Sequence, residues 1–231
     1  MKTPALVPLL LLCACNSQPT PITSSPPSPP PPVTTPAEKR GRPVPPDTAA
    51  YTGPVWRDKL NGNIYPLPDS IGGKSVSFYL ANPQISPLAK ALYTGRFRPT
   101  DTDSTTRLLD LVTTNDQALR PFYRWCLDFT IIISDGALGE YPGEPALTYA
   151  TKFPQEFFAY MDKDKTGERY KRWVEIIAYS GLSNYEELAV NTQKILANSM
   201  TKQCHLCASE TKTRIHIFAK DVATSYAQIN N

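Results

Sequence analysis

Twelve prolines fall between Pro19 and Pro46, in a stretch from Asn16 to about Thr52 that carries Ser and Thr between them and hardly an apolar residue. Each proline fixes φ and removes a backbone donor, so this stretch builds neither helix nor sheet and samples extended polyproline-type conformers. Whatever core the chain has must come after it. All three Trp and all twelve Tyr lie beyond residue 50. The remaining part, residues 53–231, is long enough for one domain burying about 70% of its unfolded surface. Residues 15–52 are read as a disordered tether, which at ~3.1 Å per residue reaches roughly 100 Å when extended. The run Pro26-Pro27-Ser28-Pro29-Pro30-Pro31-Pro32 has the composition of a ligand for an aromatic-grooved domain, but a spacer needs no such partner. The cluster Glu38-Lys39-Arg40-Gly41-Arg42 is suited to anionic lipid or cell-wall polymer; a solvated charge run is the simpler reading.

Ahead of the tether, Met1 and Lys2 precede an apolar run from Ala5 to Leu12 that contains Pro8. That run is far shorter than the ~18 residues that span a bilayer, and its layout is that of a removable signal. It ends in Leu12-Cys13-Ala14-Cys15. With small Ala14 before Cys15 and branched Leu12 three positions before it, the segment resembles the export signal and lipobox of a bacterial lipoprotein. The resemblance covers only these residues. It implies that residues 1–14 are a signal peptide, that Cys15 takes a diacylglyceryl group on its sulfur and becomes the first mature residue, and that the protein is a membrane-anchored lipoprotein of the cell envelope. Cys13, with bulky Leu12 directly ahead, fits the box badly. Asn16 stands where inner-membrane-retained lipoproteins of some bacteria carry Asp, so the outer membrane is the expected destination.

Removing residues 1–14, whose only charged residue is Lys2, lowers the formal net charge from +3 to +2. A balance so near neutral argues against nucleic acid as a partner, which calls for a concentrated basic face.

Beyond residue 52 the first thirty residues are dense in turn formers, among them Asn61-Gly62-Asn63, Pro66, Pro68 and Gly72-Gly73. Lys74 to Leu80 has an ambiguous period and reads as a short strand or a first helical turn. After that the punctuation is helical. Ser86 and Pro87 form an N-cap and first turn that Gly95 closes. Asp101 to Thr113 is a second short helix. The third is the strongest, with Asn115-Asp116 as caps, Leu119, Phe122, Cys126, Phe129 and Ile133 at helical steps, and Gly136 as its end. Its wide apolar coverage, flanked by Trp125, Ile131 and Ile132, predicts a place near the centre of the fold.

Further helices are expected around Pro145 to Lys152, from Pro154 through Met161, from about Gly167 to Ser180, and after a capping box at Ser183-Asn184-Tyr185-Glu186. The last, from about Ser209 to Ile229, spaces Ile215, Phe218, Val222, Tyr226 and Ile229 at heptad-like intervals. Short connections imply antiparallel neighbours, and no repeat of fixed period is present. The expectation is an all-α fold, a compact multi-helix bundle of about seven to eight helices, after an irregular segment carrying at most a short strand.

Three groups of residues carry candidate chemistry. Cys204 and Cys207 precede the last helix with His205 and Leu206 between them. In an exported, oxidising setting two Cys at this spacing close on each other, and a thiol near a helix N-terminus is acidified, as in redox-active pairs. A thioredoxin-like centre requires a βαβ setting, whereas the surroundings here are helical. A structural disulfide is therefore preferred over a redox pair, free thiols or a metal site, and a zinc site here would have to draw on the only other histidine, His216. Cys126 lies on an apolar stripe and reads as a buried hydrophobe, although it is also available to pair with Cys204 or Cys207.

The segment from Asp162 through Asp164 and Thr166 to Gly167 matches the first half of a calcium-binding EF-hand loop. Position twelve, where a bidentate Glu belongs, is Trp173, so Ca2+ would be under-coordinated unless Glu168, Glu175 or water filled in. A polar turn is the alternative. Finally, Asp135, Glu140 and Glu144 share a Gly-rich loop where a pair of carboxylates can serve glycoside cleavage if held ~5 to 9.5 Å apart; the same residues suit a C-cap, tight turns and a helix N-terminus.

No Gly-x-Ser-x-Gly, His-Glu-x-x-His or P-loop pattern is present. The expectation is a cell-envelope lipoprotein whose helical domain binds a protein or envelope component without catalysis. The alternative is an envelope enzyme or redox protein using Cys204 and Cys207, or a carboxylate-based hydrolase.

Overall fold

Of the 231 residues, the computed structural model describes 53–182 and 188–230. The expected export signal, Cys15, the Pro-rich stretch read as a tether and the expected capping box at Ser183 to Glu186 lie outside the described residues. The rest is all-α apart from two small antiparallel ladders at its start.

In the first ladder β1 (Val55–Arg57) pairs with β2 (Ile64–Pro66), Trp56 opposite Tyr65. In the second, β3 (Ser70–Ile71) and β4 (Lys74–Ser75) are joined by Gly72-Gly73. Both glycines have positive φ, +60° and +82°, as the two-residue hairpin turn of type I′ requires. A Cβ on Gly72 would also fall 2.6 Å from Cβ of Pro121, so this turn rests directly on a helix far along the chain. The ambiguous stretch after Gly73 is both things at once, β4 followed by α1 (Val76–Ala81).

Ser86 caps α2 (Pro87–Tyr93), its Oγ accepting from the Leu88 amide at 3.3 Å, and Gly95 closes the helix at φ +71°. The second short helix, α3 (Asp103–Asp110), tightens into a 3-10 turn over Leu111–Thr113. For α4 (Arg120–Ile133) both expected ends move inward. Asp116 Oδ1 accepts from the Ala118 and Leu119 amides at 2.8 and 3.3 Å, so it closes a preceding turn, and Pro121 opens the helix proper. At the other end Ser134 Oγ donates to the Thr130 carbonyl at 2.7 Å and the chain turns extended there. Gly136 belongs to the following 3-10 turn, Gly136–Glu140, rather than to the helix stop.

Then follow α5 (Gly143–Lys152), α6 (Pro154–Met161), α7 (Glu168–Ile176), α8 (Leu188–Gln203) and α9 (Ser209–Ile229). That makes nine α-helices among the described residues. The last two lie along each other as a hairpin. On α9 the buried side is Ile215, Phe218 and Val222, while Ile229, at the frayed end of the heptad-like series, is exposed.

Helix α4 is central, as its apolar breadth predicts, because it serves two separate cores. Phe122, Tyr123, Cys126, Phe129 and Ile133 join Trp56, Tyr79 and Leu92 under the N-terminal ladders. Leu127 and Ile131 join Phe157, Trp173 and Phe218 from the later helices. Aromatic contacts knit each side: Tyr79 stacks on Phe122 at 4.9 Å between centroids, and Phe157 meets Phe218 at 4.8 Å. The N-terminal ladder is further tied down by Asp58, fully buried, which takes Arg98 Nε at 2.9 Å and Nη2 at 3.1 Å. The Arg98 guanidinium holds the Asp58 carboxyl below its ordinary range.

Helix α7 continues past Ile176 as a π turn, Ile177–Gly181, and this wide turn is where α5 makes its closest approach. A Cβ on Gly143 would meet Ser180 Oγ at 2.3 Å, the Gly181 amide at 2.4 Å and the Ile176 carbonyl at 2.6 Å. Two of those three neighbours are backbone and cannot swing aside. Gly143→Ala is therefore expected to lower unfolding stability by about 3 kcal/mol, measured by urea denaturation, whereas Gly73→Ala, with no atom within 4 Å of the added Cβ, costs only about 1 kcal/mol of turn strain.

Candidate functional site

The three groups singled out in the sequence come to rest in three different places. Cys204 and Cys207 are joined as a disulfide with Cα atoms 5.0 Å apart, closing the turn between α8 and α9. Cys204 is buried in the core beside Met200 and Ile215, Cys207 packs on that core from its edge, and Cys126 is a separate buried thiol. Burial raises the Cys126 thiol far above its ordinary value, so it is inert rather than a third partner. The surroundings of the pair are helical, and His205 between them is exposed.

The would-be calcium loop is occupied by the protein's own donors. Asp162 takes both Arg214 nitrogens, Nη1 at 2.9 Å and Nη2 at 2.6 Å. Asp164 accepts from Thr166 Oγ1 at 2.6 Å, the Thr166 amide at 3.0 Å and the Arg169 amide at 2.8 Å. Those hydrogen bonds hold its carboxyl down at about 2. Asp164 and Thr166 thus form the cap that starts α7, with Gly167 at φ +78° as the tight point. Trp173, at loop position twelve, is fully buried in the core. Among the described residues no group of three or more His, Cys, Asp or Glu is placed to hold a metal ion.

The three loop carboxylates likewise form no metal-holding cluster among the described residues. Asp135 leans toward Arg98 at 3.9 Å and lines a shallow hollow with Arg172 and Tyr179 from which Glu140 and Glu144 are absent. Glu144, on the first turn of α5, sits close enough to Asp110 that its charge adds to burial in raising the Asp110 carboxyl.

A larger concavity than this hollow lies elsewhere. A cleft of about 710 Å³ opens between the N-terminal ladders, the outer side of α4 and the α6–α7 junction. Tyr65, Pro66, Pro68 and the Gly72-Gly73 turn form one wall. Trp125, Phe129 and Ile132 of α4 form an apolar floor, with Trp125 stacked on Phe129 at 5.3 Å. Arg124, Asp128, Tyr160, Lys163 and Arg169 make the polar end.

That polar end is built on a buried carboxylate. Asp128 accepts from Trp173 Nε1 at 2.7 Å on one oxygen and from the Tyr160 hydroxyl at 2.8 Å on the other. Arg169 Nε lies 3.4 Å from the second oxygen, within ion-pair range but outside hydrogen-bonding geometry. Burial first, and the Asp128 charge second, push the Tyr160 phenol well above its ordinary value. It therefore stays protonated and keeps donating. The Tyr160 ring is in turn gripped by two guanidinium groups, Arg124 at 4.1 Å and Arg169 at 4.4 Å from its centroid, a cation–π arrangement. Arg124 is 7% exposed; its Nη1 donates to the Tyr149 hydroxyl at 2.9 Å, and its Nε has no hydrogen-bond partner among the described residues.

None of these residues stood out as a site in the sequence, yet a signal was there. Arg120, Arg124 and Asp128 recur at steps of four along α4, which places them on one side of a helix whose other side is apolar. All three are buried. Charged residues repeating on one face of a largely apolar, buried helix indicate an internal polar seam rather than a solvated edge.

The disulfide is remote from this cleft and closes a loop of only a few residues. The double exchange Cys204→Ser with Cys207→Ser should cost about 2 kcal/mol, or roughly 4–8 °C in Tm, without altering ligand binding in the cleft. Parallel melting and binding curves of the two proteins provide the check.

No protein-family model, curated protein or solved structure matches this chain.

Proposed function

We propose that this is a lipid-anchored binding protein of the bacterial envelope: a helical receptor domain, held off the membrane by the Pro-rich tether, that captures its ligand in the cleft without chemical turnover. The observation that supports this reading is the state of the one carboxylate facing the cleft. Asp128 has both oxygens taken by Trp173 and Tyr160, with Arg169 alongside. A carboxylate so occupied holds the architecture and is a poor general base, because protonating either oxygen would weaken the short hydrogen bond that oxygen already accepts. Around it stand aromatic rings and cations, the equipment of a recognition site that fixes orientation through a few polar groups in an otherwise apolar pocket.

The anchor rests on the lipobox-like residues ending at Cys15, and delivery to the outer membrane on Asn16. Growth with an alkyne-tagged fatty acid, followed by envelope fractionation, tests it. The wild type should carry the label and sediment with outer-membrane vesicles, and Cys15→Ser should lose the label and leave the membrane fraction. A Cys15→Ser protein that remains labelled and membrane-bound would contradict the anchor.

A further inference from the structure

We infer that the cleft recognises an organic oxyanion, a carboxylate or phosphate group carried on a flat apolar body, with Arg124 and Lys163 reading the charge and the Trp125–Phe129 floor taking the body. This rests on the reading of the cleft as the ligand site.

The first argument is charge balance. Three cations border the cleft, Arg124, Lys163 and Arg169, against one carboxylate, Asp128. Arg169 is the cation that Asp128 neutralises, at 3.4 Å. Among the described residues, neither Arg124 nor Lys163 has a carboxylate within ion-pair distance; the pairs that exist involve other cations. For Lys163, near the surface, water makes up the difference. For Arg124 it does not, since the side chain is more than nine-tenths buried and its Nε has no hydrogen-bond partner among the described residues. A guanidinium stays charged at every physiological pH, and burying one without a counter-charge is unfavourable. The Tyr160 ring and the Tyr149 hydroxyl compensate only in part. A ligand oxyanion seated beside Arg124 would supply the missing charge, and a planar guanidinium suits carboxylate and phosphate equally well.

The second argument is size and surface. At about 710 Å³ the cleft is far larger than an inorganic oxyanion, and its floor is the stacked pair Trp125 and Phe129 with Ile132 beside them. Trp125 is itself stacked on both Phe129 and Phe122, so a flat ligand would meet this floor by edge or offset contact, the geometries that aromatic pairs favour. Tyr65 closes the stack from the opposite wall, edge-on to Phe129 at 5.7 Å. One end of the cleft is therefore cationic and the other apolar, which fits a ligand with the same polarity along its length.

The test uses the mature full-length protein and simple probes. Phenyl phosphate and benzoate supply the two oxyanions on one ring; benzyl alcohol and benzamide are their neutral counterparts; inorganic phosphate lacks the body. Binding is followed by tryptophan fluorescence and calorimetry, with phenol release from phenyl phosphate monitored throughout. The expected result is at least tenfold tighter binding of one ring-bearing oxyanion than of its neutral counterpart or inorganic phosphate, weakened severalfold by Lys163→Ala and by Trp125→Leu. Arg124→Gln should abolish it, with partial return in Arg124→Lys. Equal binding of charged and neutral probes overturns the oxyanion inference and leaves the cleft as a receptor site. Binding of no probe, or binding indifferent to Lys163→Ala and Trp125→Leu, overturns it too. Release of phenol with the same charge preference would uphold the oxyanion site and overturn the reading of a protein without turnover.

Discussion

A single buried carboxylate ties the central helix α4 to α6 and α7. Asp128 leaves the middle of α4 and is met by Trp173 from α7, Tyr160 from α6 and Arg169 from the start of α7. Each partner also has a structural duty: Trp173 is fully buried among Tyr149, Phe157 and Tyr160. An ionised group that deep is tolerated only when its lone pairs are satisfied, and here the satisfaction is supplied by residues 32 to 45 positions away in sequence. The register of α6 and α7 against α4 is therefore fixed by hydrogen-bond direction as well as by apolar fit. Ring packing alone would allow neighbouring arrangements of similar cost.

The same seam gives the cleft its character. Along α4, Arg120 is matched by Glu156 and by the Thr114 carbonyl at 2.8 Å, and Asp128 by the donors just named. Arg124, between them, is matched only by a phenol and a ring face. The unbalanced member of the row, Arg124, borders the cleft beside Asp128. On the far wall the β3–β4 turn can lie against Pro121 only because residue 72 has no Cβ, so the cleft is bounded by a rigid contact at its ladder side. Rigid walls and a preset charge are the conditions under which a receptor binds without first reordering itself.

How far this was legible in the sequence depends on the range of the forces involved. Ser86, Pro87 and Gly95 mark α2 because capping and chain reversal are local. The all-α class and the central position of α4 follow from the spacing of Phe122, Cys126, Phe129 and Ile133. The ends of α4 were misplaced where a side chain closed a neighbouring turn instead, Asp116 before the helix and Ser134 after it. The candidate sites fared differently. Asp162, Asp164 and Thr166 match a motif in spacing, but the meaning of spacing depends on which donors arrive from afar, and Arg214 arrives from α9. Conversely, Arg124 and Asp128 look like ordinary helix charges until Tyr160 and Arg169 fold against them. Convergence of distant residues on one carboxylate leaves no local trace beyond a four-residue repeat of charge on an apolar helix.

The most direct test of the carboxylate as the joint between α4 and the α6–α7 pair is a double-mutant cycle in urea between Asp128→Asn and Tyr160→Phe. If Asp128 is the hub, Asp128→Asn alone lowers stability by roughly 3–5 kcal/mol, and adding Tyr160→Phe costs much less than it does in the wild-type background, because the shared bond is already lost. A loss below about 1 kcal/mol for Asp128→Asn, which is within the range of a surface exchange, or strict additivity of the two changes, would contradict the account.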